Sequence, residues 1–356
     1  METQRARQHI RRNHPVYGAW KDDRMSRVTP GFPDVAGFAS DSQEIGMIIS
    51  ASRRTDLPAY YTDWFLNRIK ERYVCVRNPM NIHQISKINL NPDVVDCIVF
   101  WSKNPKPMLD KLQFLKEYTC YFQFTLNSYG RDIEANLPRK KETLETFKKL
   151  SDMIGPQKVI WRYDPVFLNE KYTISYHIDK FYELAGILKG YAEKVTFSFI
   201  DFYKKITENV KSFRINEMTN EEKNIIAGCF SRIAKENNLL IDTCAEDIDL
   251  SKYNIDHARC IDGRLIAKIT GYNLIAKKDK NQRLECGCVG SVDIGAYNSC
   301  SNACVYCYAN YSQNIIANNL KRHNQCSPLL MGEMHNNDAV SERKATSDKT
   351  LRNLCP

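Results

Sequence analysis

The residues of this chain best able to do chemistry gather in one stretch, Ala296-Tyr-Asn-Ser-Cys-Ser-Asn-Ala-Cys-Val-Tyr-Cys-Tyr-Ala-Asn310. Cys300, Cys304 and Cys307 stand there in a C-x3-C-x2-C spacing, with Tyr306 directly before the third thiol. Three closely spaced thiolates hold three irons of a [4Fe–4S] cube, whereas an electron-transfer cluster takes four. The fourth iron is then open to a ligand from outside the chain. Structural zinc also suits the spacing but needs a fourth protein ligand. His323 and Cys326, sixteen and nineteen residues past Cys307, are the candidates. A group of free cysteines with no metal is the third reading.

A second group is Cys244, Cys260 (in His257-Ala-Arg-Cys260) and Cys286-Gly-Cys288. Four cysteines in one 45-residue region could bind an auxiliary Fe–S cluster or zinc. Otherwise Cys244 is a small buried residue and the C-x-C pair is incidental. His257 is either an alternative ligand or solvent-facing. Cys75, Cys97, Cys120 and Cys229 read as core residues.

These groups need elements to position them, and the chain supplies these from Met47 onward. Short apolar runs alternate with longer amphipathic stretches, the pattern of a parallel α/β sheet. Strands are predicted at 47–51, 73–76, 97–100, 121–125, 158–161, 194–200 and 239–242, with 292–295 as an eighth running into the cysteine loop. Helices are predicted at 60–70, 108–116, 140–154, 177–188, 220–237 and 313–322. The expected fold is α/β, a TIM-like (β/α) barrel, whose active site lies at the C-terminal ends of the strands. Those ends carry Arg53, Arg54, Asp56, Arg77, Asn78, Lys103, Asn104, Asn127, Arg162, Asp164, Asp201, Asp242 and Glu246. One polar strand end means little, since chains turn polar as they leave a core. Seven in succession predict a lined pocket. Arg53, Arg54, Asp56, Arg162 and Asp164 are the candidate catalytic residues. The arginines point to a small polar or anionic substrate, because guanidinium forks suit carboxylate and phosphate.

At 356 residues the chain is long enough for one large α/β domain. Residues 1–46 have no sustained period and are expected to form a poorly ordered extension. Residues 47–312 are assigned to the barrel with its cluster-binding loop, and 313–356 to a helix and flexible tail. The 43% hydrophobic and 26% charged content is ordinary for a soluble globular protein. No run approaches the ~18 apolar residues of a membrane span, and the N-terminus lacks the apolar segment of a secretory signal. Thirteen cysteines, clustered and odd in number, fit metal ligation in a reducing cytoplasm better than a disulfide scaffold. The net charge of +9 is thinly spread, so it singles out neither nucleic acid nor a phosphorylated partner.

The cysteine spacing with its preceding aromatic resembles the signature of radical S-adenosylmethionine (SAM) enzymes, and the loop is similar to that of the spore photoproduct lyase group. Longer stretches resemble a bacterial family, the domain-of-unknown-function 1848 family, over residues 47–312. They are Met47-Ile-Ile-Ser-Ala-Ser-Arg-Arg-Thr-Asp-Leu-Pro-Ala-Tyr-Tyr61, Val76-Arg-Asn-Pro79, Phe100-Trp-Ser-Lys-Asn-Pro105, Val159-Ile-Trp-Arg-Tyr-Asp-Pro165 and Asp293-Ile-Gly-Ala-Tyr-Asn298. The radical SAM resemblance implies that the open iron chelates the amine and carboxylate of SAM. An electron supplied by a donor such as flavodoxin or ferredoxin then cleaves SAM, and a 5′-deoxyadenosyl radical takes hydrogen from the substrate. It also implies that Tyr306 lies near the adenine and that Asn298 faces the cofactor. In such proteins the cysteine loop usually follows the first strand, whereas here it follows the last, so the resemblance implies a permuted radical SAM barrel. Ser52 to Asp56 would then neighbour the cluster. No Gly-Gly-Glu segment is present, so Asp56 or a backbone carbonyl would take the SAM amino group. Two other classes stay open. One is a non-catalytic zinc or nucleic-acid binding protein. The other is a metal-independent barrel lyase or hydrolase using Asp164 and Asp201 as acid and base.

Overall fold

The computed structural model describes residues 47–344, 349 and 350, and the extension expected over 1–46 lies outside them. The described residues open on β1 (Met47–Ala51), then α1 (Leu57–Tyr60) and α2 (Thr62–Glu71). A hairpin of β2 (Tyr73–Asn78) and β3 (Asn81–Asn89) leads to β4 (Val95–Ser102), α3 (Lys106–Leu109) and β5 (Cys120–Thr125). Next come α4 (Lys140–Ile154), β6 (Val159–Val166), α5 (Ile174–Leu188), β7 (Lys194–Phe199), α6 (Thr207–Ser212), α7 (Asn220–Glu236) and β8 (Leu240–Thr243). The last part carries β9 (Asp256–His257), α8 (Gly263–Thr270), β10 (Asn273–Leu274), β11 (Val292–Asp293), α9 (Gln313–Arg322), β12 (Ala339–Glu342) and β13 (Lys349–Thr350).

Eight strands form one sheet in the order β11-β1-β4-β5-β6-β7-β8-β9, and every neighbouring pair is parallel. The expected α/β sheet is present, with a different membership. β2, expected within it, instead pairs antiparallel with β3, and β12 completes a separate three-stranded sheet. β1 pairs directly with β4, and the eighth strand, at the far edge beside β8, is β9, whose two residues are too few for any periodicity to show. The pairing runs from β11 to β9, and among the described residues none joins those two strands.

Strands β1 and β4 to β7 are buried on both faces, as parallel strands are, and the two faces differ in chemistry. Met47, Ile49, Ile98, Phe100, Phe122, Phe124, Val159, Trp161, Val195 and Phe197 belong to one core cluster with the helices. There Phe181 of α5 stacks on Phe230 of α7 at 3.9 Å between ring centroids. The alternate residues Ile48, Cys97, Val99, Tyr121 and Ile160 pack instead on Ile261, Ile266, Cys260, Cys286 and Cys288. Further along the same alternation come buried Gln123, Arg162, Thr196 and Asp242. One face is therefore apolar under the helices. The other turns polar toward the strand ends and is covered by α8 with its flanking loops.

The segment after α9, expected to be a flexible tail, is tied down through β12. Trp64 Nε1 donates to Ser327 O at 2.8 Å and Cys75 N to Pro328 O at 2.9 Å, while Leu329 and Leu330 are buried. Backbone bonds and a few apolar anchors hold it, and its polar sequence does not announce them. Among the described residues, no helix is long and apolar enough to cross a membrane.

Candidate functional site

The site begins where β11 meets β1. Ile49 pairs with Val292 and Ser50 with Asp293, so the chain leaving β11 runs beside the chain leaving β1. Asp293 joins the two exits. Its carboxylate accepts from Ser50 Oγ (2.9 Å), Ser52 Oγ (2.7 Å), Arg53 N (2.8 Å) and Gly295 N (3.0 Å), with Arg54 Nε at 3.4 Å. Residue 295 must be glycine here, because a Cβ would lie 2.0 Å from Ser52 Oγ and 2.7 Å from Ser52 Cβ. Asp293 was not among the sequence candidates. The available signal was an acid at an inward position of an otherwise apolar strand.

The cysteine loop follows. Asn298 and Ala303 take positive φ (52° and 53°), which folds the loop back on itself. Asn298, expected to face a cofactor, is used for closure: its Oδ1 accepts from Tyr311 N (3.0 Å) and Ser312 N (3.2 Å) at the start of α9. Asn310 performs the matching task. Its Oδ1 accepts from Ser299 N (2.7 Å) and Cys300 N (2.9 Å), and its Nδ2 donates to Arg54 O (3.0 Å) and reaches Cys307 Sγ at 3.6 Å.

Cys300 and Cys304 are buried and Cys307 is half-buried. Of the three sulfurs, Cys307 has a donor at hand in Asn310 Nδ2. Burial pushes the Cys304 thiol up to about 12 and Cys300 well above the usual thiol range, and the neighbouring thiols reinforce this. Among the described residues, no group of three or more His, Cys, Asp or Glu side chains is arranged to hold a single metal ion. A cube makes a different demand, because each thiolate binds a different iron and the ligands stand farther apart than around one ion. The Asn310 amide on Cys307 Sγ fits a thiolate ligand of that kind. The fourth ligands of the zinc alternative are engaged elsewhere or turned outward: His323 Nδ1 is hydrogen-bonded to Leu330 O at 2.9 Å, and Cys326 is exposed.

Beneath the loop lies a buried charged network. Tyr306 OH donates to Glu134 Oε1 (2.5 Å) and accepts from Lys103 Nζ (2.8 Å) and Asn127 Nδ2 (3.1 Å). Lys103 and Lys140 donate to the two Glu134 oxygens at 2.9 and 2.7 Å. Burial alone would raise the Glu134 carboxyl, but the two ammonium groups outweigh it and hold the carboxyl down to about 2. Glu134 was missed by sequence reasoning, because it sits in an aperiodic turn. Asp56, a catalytic candidate, is a brace. It caps α1 through Ala59 N (3.1 Å) and accepts from Ser102 Oγ (2.6 Å), Lys103 N (2.8 Å) and Asn302 Nδ2 (3.1 Å). With four donors on its oxygens it is fully occupied.

The polar face of the sheet brings together Arg53, Arg162 and Asp164. The Arg53 and Arg162 guanidinium carbons lie 5.4 and 5.3 Å from the centroid of the Trp101 ring, and Arg162 pairs with Asp164 through Nε at 3.0 Å. Among the described residues, buried Arg53 Nη2 and Trp101 Nε1 have no hydrogen-bond partner. Such groups cost about 1–3 kcal/mol each when left unsatisfied, which marks a place for an acceptor. Arg54 turns instead to Asp293 and the Tyr297 ring. Other candidates lie apart. Arg77 binds Asp338 at 2.7 Å on the small sheet, and Asp201 binds Arg283 and Tyr203 rather than facing Asp164.

A family model described as a domain of unknown function (DUF1848) matches residues 48–309. A comparison with curated proteins gives no match. Among solved structures, a Bacteroides thetaiotaomicron VPI-5482 protein provisionally assigned as an alpha-L-fucosidase is similar at 10% identity and a TM-score of 0.28, over 82% of this chain and 98% of that one. A likeness at that score carries no argument.

Proposed function

We propose that this chain, which belongs to the domain-of-unknown-function 1848 family, is a radical SAM enzyme acting on a small anionic substrate. One observation carries the reading: three thiols of a C-x3-C-x2-C loop stand where β11 leaves a parallel sheet, two of them buried and the third with Asn310 Nδ2 on its sulfur. Cys300, Cys304 and Cys307 would hold a [4Fe–4S] cluster, which when bound supplies the electron for reductive cleavage of SAM and so for hydrogen abstraction from the substrate. Asn310 fixes the entry and exit of the loop, and Asp56 ties it to the ends of β1 and β4. Arg53 Nη2 and Trp101 Nε1 supply donors for the substrate anion, and Asp164 orients Arg162 beside them. The sheet then reads as a permuted radical SAM barrel, with β11 in the place of the usual first strand. A flavodoxin or ferredoxin would deliver the electron.

The test is anaerobic reconstitution with iron and sulfide, followed by EPR of the reduced protein with and without SAM. A [4Fe–4S]⁺ signal that changes on adding SAM, disappears in Cys304→Ala and accompanies release of 5′-deoxyadenosine is expected. A cluster indifferent to SAM, or no cluster, overturns the reading.

A further inference from the structure

We propose that Cys244, Cys260, Cys286 and Cys288 form a second metal centre, a tetrathiolate site for one tetrahedral thiophilic ion of the zinc type, independent of the C-x3-C-x2-C loop. Residues far apart in sequence meet here. Cys244 Sγ lies 3.5 Å from Cys260 Sγ, and Cys260, Cys286 and Cys288 are buried in one cluster against which Cys244 packs. The backbone is built for the meeting: Gly287 N donates to Ala258 O (3.2 Å) and Val289 N to Ile261 O (3.1 Å), laying the C-x-C segment against the segment that carries Cys260. Glycine between the two cysteines lets the segments lie close, since a Cβ at 287 would come 2.6 Å from Arg259 Cγ and 3.2 Å from Ala258 O and would push the Arg259 side chain aside.

The sulfurs are set up as acceptors. Arg162 Nη1 donates to Cys260 Sγ at 2.8 Å and Ile261 N to Cys288 Sγ at 3.3 Å. N–H groups aimed at sulfur are the usual surroundings of metal-bound thiolate. Four thiolates about a divalent ion carry a net charge of −2, and Arg162 and Arg53 stand against the group. Spacing selects a single ion over a cube. Zinc–sulfur bonds of ~2.3 Å at tetrahedral angles place sulfurs about 3.8 Å apart, close to the 3.5 Å of the Cys244–Cys260 contact. Among the described residues the thiols do not yet form a cage, and ion binding, with release of four protons, would draw Cys286 and Cys244 around the common centre. An entry path exists, because Cys286 lines a cavity of about 580 Å³ together with His257, Arg259 and Lys278.

The experiment uses the full chain carrying Cys300→Ala, Cys304→Ala and Cys307→Ala, stripped of metal under reducing, anaerobic conditions and titrated with Co(II). One equivalent is expected to saturate an absorption spectrum with thiolate-to-cobalt charge transfer and the visible bands of tetrahedral cobalt. An equivalent of Zn(II) should abolish it. Cys260→Ser and Cys288→Ser, each checked for folding by circular dichroism, should weaken Co(II) binding roughly tenfold or more, while Cys120→Ser leaves it unchanged. Absence of tetrahedral bands, bands that survive both serine variants, or a Cys244–Cys260 disulfide in place of metal uptake overturns the proposal. Because the variant lacks the other three cysteines, this result is independent of the SAM-linked EPR test.

Discussion

Gly295→Ala would place a methyl group at the junction that seats the cysteine loop on β1. The new Cβ lies 2.0 Å from Ser52 Oγ, 2.7 Å from Ser52 Cβ and 3.1 Å from Thr55 Oγ1, against an ordinary contact of about 3.5 Å or more. Ser52 is buried, and its hydroxyl is held by Asp293 Oδ1 at 2.7 Å and Arg54 N at 3.0 Å. Turning the hydroxyl aside sacrifices both bonds, about 1 kcal/mol each. The remaining Cβ overlap adds about 1–3 kcal/mol of overpacking. The expected loss is therefore about 3–5 kcal/mol, or a fall in Tm on the order of 10 °C, with a matching drop in iron taken up on reconstitution. Ser52→Gly removes both clashing atoms. The double variant should come within about 1 kcal/mol of Ser52→Gly alone. The assay is anaerobic thermal melting of the four proteins with iron analysis. A Gly295→Ala protein with wild-type Tm and iron content refutes the reasoning, and a double variant no better than Gly295→Ala refutes the role given to Ser52.

Further expectations concern sites away from the cysteines. His177 is buried, and burial holds it down to about 4, with its ring nitrogens hydrogen-bonded to the Tyr163 hydroxyl and Phe167 O. The unfolded chain takes up a proton below about 6.5 that the native chain refuses until about 4. Stability supported by neutral His177 is thus present above pH ~6.5 and falls by roughly 3 kcal/mol as the pH drops to ~4. Denaturant midpoints should show this slope in wild type and lose it in His177→Gln. Equal slopes would show that His177 does not titrate in that window. On the small sheet, Arg77 holds Asp338 well below the usual carboxylate range, so Asp338→Asn should expose residues 331–344 to limited proteolysis while the parallel sheet keeps its Tm. Unchanged cleavage would show that the pair does not anchor the segment.

The sheet strands most legible in sequence were those buried on both faces. β1 and β4 to β6 are apolar runs whose alternate residues serve two different cores, so each can be recognised alone. β2 is equally apolar, but Asn78-Pro-Met-Asn81 turns it into a hairpin, and turn geometry rather than hydrophobicity decides where it pairs. Arg77 left the predicted pocket with it. The cysteines were visible as residue types. That Cys288 lies against Cys260 could not be read, because it depends on residues 286–289 folding back on 258–261. Asp293 and Glu134 escaped for a similar reason: each gathers donors from chain segments tens to hundreds of residues away, and no local period records that. Asp56 was noticed at a polar strand end and Asn298 through the resemblance, yet both spend their polarity on the backbone and side chains of the fold itself.

The pairing of β11 with β1 also sets an order of events during synthesis. Val292 leaves the ribosome long after Ile49, its partner. At about 5–20 residues per second, β1 waits on the order of ten seconds to a minute with one edge unpaired, although β4 can cover the other early. An unpaired edge is a place where chains associate wrongly. The loop that closes this edge is also the one bearing Cys300, Cys304 and Cys307, so a truncated chain lacks both the guard strand and the thiols. The cysteine loop is thereby made only when the last strand of the sheet it sits on is made, and half-made molecules lack its three thiols.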